Sequence, residues 1–414
     1  MAQLEGSVAA GYESVRELLA ADLDRLAERE VQLCVYVGEE RVVDLWGSTL
    51  ETPQAPDALA NIFSSSKSLV AILLADQVAQ GRIDYSADIR DYWPEFTGGG
   101  KERLKVADLM RHEAGLAAFD VSLDPQHLLA EQIKENRIGQ IIEAQETRFR
   151  PEGSPREYHA VTRGWIVNEL YRRVDPDGRT LGEAFADDWA APLDLDVLIG
   201  VPAARHAEIR DVVPLSPGFY LKQGFRRQPN RAVHDSIGQF LGKMARLAPK
   251  FRSSPRRGSP PPFKGTASLD VFNDAVVRCG ETPSANAHAS ARGLAKLAAV
   301  MAGEGRFAGG QYLPQGAWQA LHDAPVSHEM GMPTTFTQGG VALFGGNAAG
   351  GVLDRAINQG REGFYGWMGL GGSIFQWHPQ KRIGFAYVPT SLHVMDFLNE
   401  RGKRYQAEIL RIVS

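Results

Sequence analysis

The chain has 414 residues and a formal net charge of −5, from 45 Lys and Arg against 50 Asp and Glu. That length suffices for a large core or for one enzyme fold with inserted subdomains, and it excludes a small stapled module. The weak negative charge gives no reason to expect a nucleic-acid or acidic-polymer partner, and no stretch nears the roughly 20 apolar residues of a membrane span.

Taken in chain order, the opening MAQLEGSVAAGYESV has neither a positive n-region nor an apolar h-region. VQLCVYVGEERVVDLWGS then reads as two strands joined by a turn at Gly38. Cys34 lies inside the first of these, far from Cys279, so both are expected as buried free thiols in a reducing, cytoplasmic setting. Next comes ANIFSSSKSLVAILLADQVAQG, whose apolar run predicts a buried helix ending at Gly81.

Further on, IGQIIEAQ and RGWIVNELYRRV have helical period, and Tyr158 stands just ahead of the second, after the turn-forming RPEGSP. From Lys222 to Lys264 eleven lysines and arginines face the single acid Asp235. Within that stretch HDSIGQFLGKMARLAP predicts a basic amphipathic helix capped by Asp235 or Ser236, and FRSSPRRGSPPPFKG a proline-rich loop. This insert reads either as a surface helix or as a lid beside Ser64 that meets an acyl chain and attracts anions. ARGLAKLAAVMAG is a helix stopping at Gly303. GSIFQW and RIGFAYV form a second hairpin around HPQK, followed by a terminal helix over VMDFLNERGKRYQAEILRIV with Phe397, Leu398, Ile409, Leu410 and Ile412 on its apolar side. Strands at both ends with helices between indicate an α+β protein whose ends share one antiparallel sheet.

Ser64 and Lys67 form a Ser-x-x-Lys pair expected in the first turn of the buried helix, where residues three apart share a face. A serine hydroxyl becomes a nucleophile when a neighbouring base removes its proton, and burial together with the helix dipole pushes a lysine toward that basic, neutral form. The Ser64 N–H at the helix start is available to a developing oxyanion. In LMRHEAGL, His112 and Glu113 read as structural, and His159, adjacent to Tyr158, either tunes it electrostatically or, as sequence neighbours often do, points apart from it. No zinc, nucleotide or G-x-S-x-G motif occurs, so no cofactor and no metal are expected.

The Ser-x-x-Lys pair, Tyr158 and the Gly-rich FYGWMGLGGSIFQW together resemble the serine β-lactamase and penicillin-binding protein superfamily. The resemblance is strongest to its esterase branch, the family VIII carboxylesterases and class C β-lactamase-like hydrolases. It runs from VVDLWG through IFSSSKS and LMRHEAGL to GGSIFQWHPQKRIGFAYV and is weakest between about 204 and 280. It implies a β-lactamase/transpeptidase-like fold. Residues 1–80 and 285–414 would form the sheet domain and 81–284 a mainly helical subdomain holding the basic insert at about 222–264.

By position, the resemblance makes Ser64 the acylated nucleophile, with Lys67 and Tyr158 as its proton-transfer partners. Trp367, Met368 and Gly369 match the third family element, and Leu370 would supply the second oxyanion N–H. Ala160 stands where class C enzymes have Asn, and Trp367 where they have the Lys of a carboxylate clamp. An indole cannot pair with an anion, so a neutral small-molecule ester is the expected substrate. Acyl transfer on the same machinery, and weak β-lactamase or D,D-peptidase-like activity, are the alternatives; a non-catalytic scaffold is disfavoured by the presence of all three residues.

Overall fold

A computed structural model of the chain describes residues 2–51, 55–150, 152–265, 268–345, 351–396 and 398–414, with backbone alone at 250–252. Among the described residues the main sheet has nine antiparallel strands. They are β1 (Gln3–Val8), β2 (Glu30–Val37), β3 (Glu40–Ser48), β4 (Val326–Glu329), β5 (Pro333–Phe336), β6 (Ala342–Leu343), β7 (Tyr365–Met368), β8 (Ile374–His378) and β9 (Ile383–Pro389). Their order is β1-β3-β2-β9-β8-β7-β6-β5-β4. Both expected hairpins form, and β2 pairs with β9, so the two chain ends do share one sheet.

VQLCVYV is apolar on both alternations because both faces of β2 are covered. Leu33 and Val35 enter a cluster with Val15 and Leu19 of α1 (Glu13–Arg25), while Cys34 and Tyr36 enter the cluster on the opposite face. That second cluster contains α2 (Ser66–Ala79), whose apolar residues are buried all round, as the unbroken run SLVAILLA predicts. It also takes in the apolar residues of α3 (Thr162–Val174). Two later helices follow, α4 (Pro217–Gly224), whose last turn opens the basic stretch, and α5 (Ile237–Arg252) within it. Helix α6 (Ala291–Ala302) packs on β9 and stops at Gly303 as expected.

Three expectations change. The terminal helix, α7 (Glu400–Ile412), begins six residues after Val394, because Asn399 adopts a left-handed backbone (φ 49°) and the Asp396 carboxylate accepts the N–H groups of Glu400 and Arg401 instead. Phe397 lies outside the described residues. Cys279 is half-buried, because it ends a short helix beside His206. Helix α5 runs through Pro249 into the first two residues of FRSSPRRGSPPPFKG, and the rest of that segment has no helix or strand. No described helix is long and apolar enough to cross a membrane.

A smaller mixed sheet prepares the site. Leu59–Asn61 lies between Ala287–Ala289 and Ile209–Arg210, with Val197–Ile199 at the edge. It fixes the chain that enters the turn at Ser64 against the segment that follows Ser284.

Gly384 of β9 shows how closely α6 sits, since a Cβ there would lie 2.4 Å from Ala299 N and 2.7 Å from Ala295 O. Gly384→Val is therefore expected to cost about 1–3 kcal/mol of stability through overpacking. Urea unfolding of the two proteins measures it, and an unchanged midpoint would contradict this packing.

Candidate active site

Ser64 belongs to a 3₁₀ turn, Phe63–Ser65, that precedes α2 rather than to its first turn. The cause is local: the Asn61 Oδ1 accepts the Phe63 N–H at 2.6 Å and Phe63 takes φ 44°, which turns the chain sharply before the helix starts. Ser66 donates to Phe63 O and accepts from Ala287 N–H, tying the turn to the small sheet. Lys67, one residue into α2, still lies beside Ser64 with Nζ 3.0 Å from Oγ.

The Lys67 amine is buried, and two main-chain carbonyls, Ala160 O at 2.7 Å and Ser284 O at 2.9 Å, face it. Carbonyls only accept, so in a neutral amine they take both hydrogens and leave the lone pair for the Ser64 hydroxyl. Burial, and then the nearby Arg163 guanidinium, hold Lys67 well below the usual lysine range. Arg163 is itself fully buried and donates to Met110 O, Gly340 O and Lys67 O.

Tyr158 lies across Lys67, with Nζ 4.8 Å from the ring centre. The Trp367 indole N–H donates to its hydroxyl at 2.9 Å. Burial raises the phenol above its ordinary range, and hydrogen bonds from Ser64 and Trp367 oppose that rise. Trp367 is thus engaged with Tyr158 and packs against Phe336 and Phe344. His159 does not contact the phenol hydroxyl: its Nε2 accepts from Leu116 N–H and its Nδ1 donates to Glu157 O, and burial lowers it to about 3. The tuning role expected for it is corrected accordingly. His112 accepts the His159 N–H on Nδ1, as a structural residue should, and its ring centre is 5.0 Å from that of Tyr158.

Opposite Ser64, strand β7 ends in Trp367 and Met368, and Gly369 follows it. Gly369 permits the approach, since a Cβ there would lie 2.3 Å from Ile62 O. The Ser373 hydroxyl donates to Ile62 O at 2.6 Å and accepts from Ser65, which pins the Ser64 turn to the end of β7. The Gly369 N–H is taken by Ser373 O. Among the described residues the Ser64 and Leu370 N–H groups have no protein acceptor.

Two residues that the sequence reading missed hold this loop. Asn399 donates both amide hydrogens, to Gly369 O at 3.1 Å and Ser373 O at 3.0 Å. Arg401, fully buried and paired with Glu28, donates to Gly371 O. No local signal marks either, because their acceptors are about 30 residues away in the chain.

Ser64, Tyr158, Trp367, Gly369 and Leu370 line one cavity of about 180 Å³ with Met330, Met332 and Ile357. Among the described residues its wall contains no Lys or Arg, and Asp396 is the one carboxylate.

The Beta-lactamase family model matches residues 15–408. The chain belongs to the beta-lactamase family. It is 29% identical over 373 residues to "Esterase/beta-lactamase LipL" of Mycobacterium tuberculosis (strain ATCC 25618 / H37Rv), covering 87% of this chain and 76% of that protein. A penicillin-binding protein homologue from Caulobacter crescentus superposes with a TM-score of 0.73 at 26% identity, covering 99% and 100% of the two chains. A family VIII carboxylesterase structure gives 0.76 at 24% identity with the same coverage, a likeness of fold. This beta-lactamase-family protein is a serine hydrolase with the α+β architecture expected from its sequence.

A depressed Lys67 pKa means that the unfolded chain binds the extra proton in the window between the folded value and the ordinary value of about 10.4. Stability should therefore rise with pH across that window, and Lys67→Met should remove this part of the slope. Urea unfolding of both proteins at several pH values checks it; identical slopes would show an unperturbed lysine.

Proposed function

We propose that the protein hydrolyses neutral carboxylic esters through an acyl-enzyme on Ser64. The observation that carries this reading is the Lys67 amine, buried with both main-chain acceptors in place and its third direction toward Ser64 Oγ. The printed names of its relatives, an esterase/beta-lactamase and a family VIII carboxylesterase, agree with it.

In the proposed acylation, neutral Lys67 takes the Ser64 proton as Oγ attacks the ester carbon. The carbonyl oxygen becomes an oxyanion facing the Ser64 and Leu370 N–H groups. Tyr158, kept protonated by burial, gives its proton to the leaving alkoxide, and the Trp367 N–H supports the phenolate left behind. In deacylation, water gives a proton to that phenolate as it attacks the acyl carbon, and the Lys67 ammonium returns its proton to Ser64 Oγ. The starting state is restored. A cavity wall without Lys or Arg among the described residues supports neutral substrates over carboxylate-bearing β-lactams. We propose the cytoplasm as its compartment, on the two free thiols.

Ser64→Ala should lose on the order of 10⁶ in kcat and should show no acyl adduct by intact-protein mass spectrometry with a slow ester. An adduct on Ser64→Ala would refute the assignment of the nucleophile.

The proton route makes a second prediction, because a p-nitrophenolate departs without help and an alkoxide does not. Tyr158→Phe should cost about 10²–10⁴ in kcat/KM on ethyl esters, and Trp367→Phe about tenfold, with much smaller losses on p-nitrophenyl esters. Equal losses on both substrate types would exclude Tyr158 as the acid.

A further inference from the structure

The basic insert does not lie apart from the Ser64 cavity. Helix α5 begins against α4, where a Cβ on Gly224 would lie 3.2 Å from Ile237 Cβ. Between the two helices is a second cavity of about 160 Å³, lined by Tyr220, Leu221, Val233, Ile237, Phe240 and Met395 over a floor that includes His393 and Asp396. An apolar-lined space of this size takes up a benzene-sized group.

Asp396 lines both cavities. The segment that borders both is held in place. His393 N–H donates to Gly371 O at 3.4 Å, and Tyr220 donates to Leu392 O at 3.3 Å. The Asp396 carboxylate is fixed by the first N–H groups of α7.

The far end of the insert lands on the other side of the Ser64 cavity. Leu247 lies 3.8 Å from where a Gly331 Cβ would be, between the cavity residues Met330 and Met332. Beyond α5, Ser254 donates to Glu157 and Arg256 pairs with it, next to Tyr158. Arg150 donates to Ser253 and pairs with Glu157. The insert therefore meets Met395 and Asp396 across the second cavity and, at its far end, Gly331 and Glu157.

Its charges serve as anchors. Lys243 pairs with Asp235, Arg256 with Glu157, and Arg231 donates to Val233 O and His234 O. Ser236 and Gln239 cap α5 reciprocally. What the insert offers the second cavity is apolar surface.

We propose that the cavity between α4 and α5 binds the linear apolar chain of the ester, reached from Ser64 past Asp396. This rests on the reading of Ser64 as nucleophile. The chain belongs to either the acyl or the alcohol part, and its burial favours long substrates by about fourfold per methylene removed from water.

The test is a chain-length series on each side: p-nitrophenyl acetate to octanoate for the acyl arm, ethyl to octyl acetate for the alcohol arm. Leu221→Trp fills the cavity from an exposed rim, and Leu241→Trp adds the same bulk at an exposed position of α5 outside the lining. The octyl-to-short ratio of kcat/KM should fall about tenfold or more in Leu221→Trp and stay at the wild-type value in Leu241→Trp, in whichever arm shows the chain-length gain. No gain in either arm, or equal ratios in both variants, overturns the proposal. Calorimetry with octan-1-ol separates this from the ester reading, since it needs no turnover. Binding to wild type that Leu221→Trp abolishes supports the cavity even if no ester is cleaved, and no binding to wild type overturns it.

Discussion

Everything at the site follows from the burial of one lysine amine between two backbone carbonyls. Removing an ammonium from water is costly, and Arg163 adds repulsion, so the amine is driven toward its neutral form. Ala160 O comes from the segment before α3 and Ser284 O from the segment before the small sheet. Both segments must be in register for the amine to point at Ser64. The buried helix α2, apolar on every side, supplies the rigid base from which that side chain rises.

A second constraint joins the Ser64 turn to the end of β7. Ile62 O is approached so closely by Gly369 that no side chain fits, and Ser373 closes the contact with a hydrogen bond. Asn399 and Arg401 then satisfy the carbonyls that this loop turns inward, and among the described residues the N–H groups of the cavity residues Ser64 and Leu370 have no protein acceptor. Such preorganised donors stabilise charge without reorganising as it forms. The Trp367 N–H extends the same logic to Tyr158, where it supports the anion of a phenol whose burial otherwise disfavours ionisation.

The basic insert is held internally by the Lys243–Asp235 pair and tied to the residue before Tyr158 by the Arg256–Glu157 pair. Its composition suggests a surface for anions. Arg231, Lys243 and Arg256 are engaged with local acids and carbonyls, and an apolar side faces α4. Net charge along a sequence segment describes the field far from the protein; pairing decides what the segment presents nearby.

Periodicity and motif spacing were enough to read both hairpins, the buried helix after Ser64, the amphipathic α5 and the Ser64–Lys67 pair, whereas Tyr158 and Trp367–Gly369 joined that pair only through the family resemblance. Those features depend on neighbours within a few residues or on the alternation of faces, and both are written locally. Only the tertiary structure decided where Lys67 sends its protons, because its acceptors lie 93 and 217 residues away. It also decided that Trp367 donates to Tyr158, that His159 serves the backbone, that Asp396 and Asn399 delay the last helix, and that Asn399 and Arg401 brace the loop at Gly369. Each of these is a hydrogen bond between groups far apart in the chain, whose partner is set by the packing of the whole fold and leaves no mark in the residues on either side.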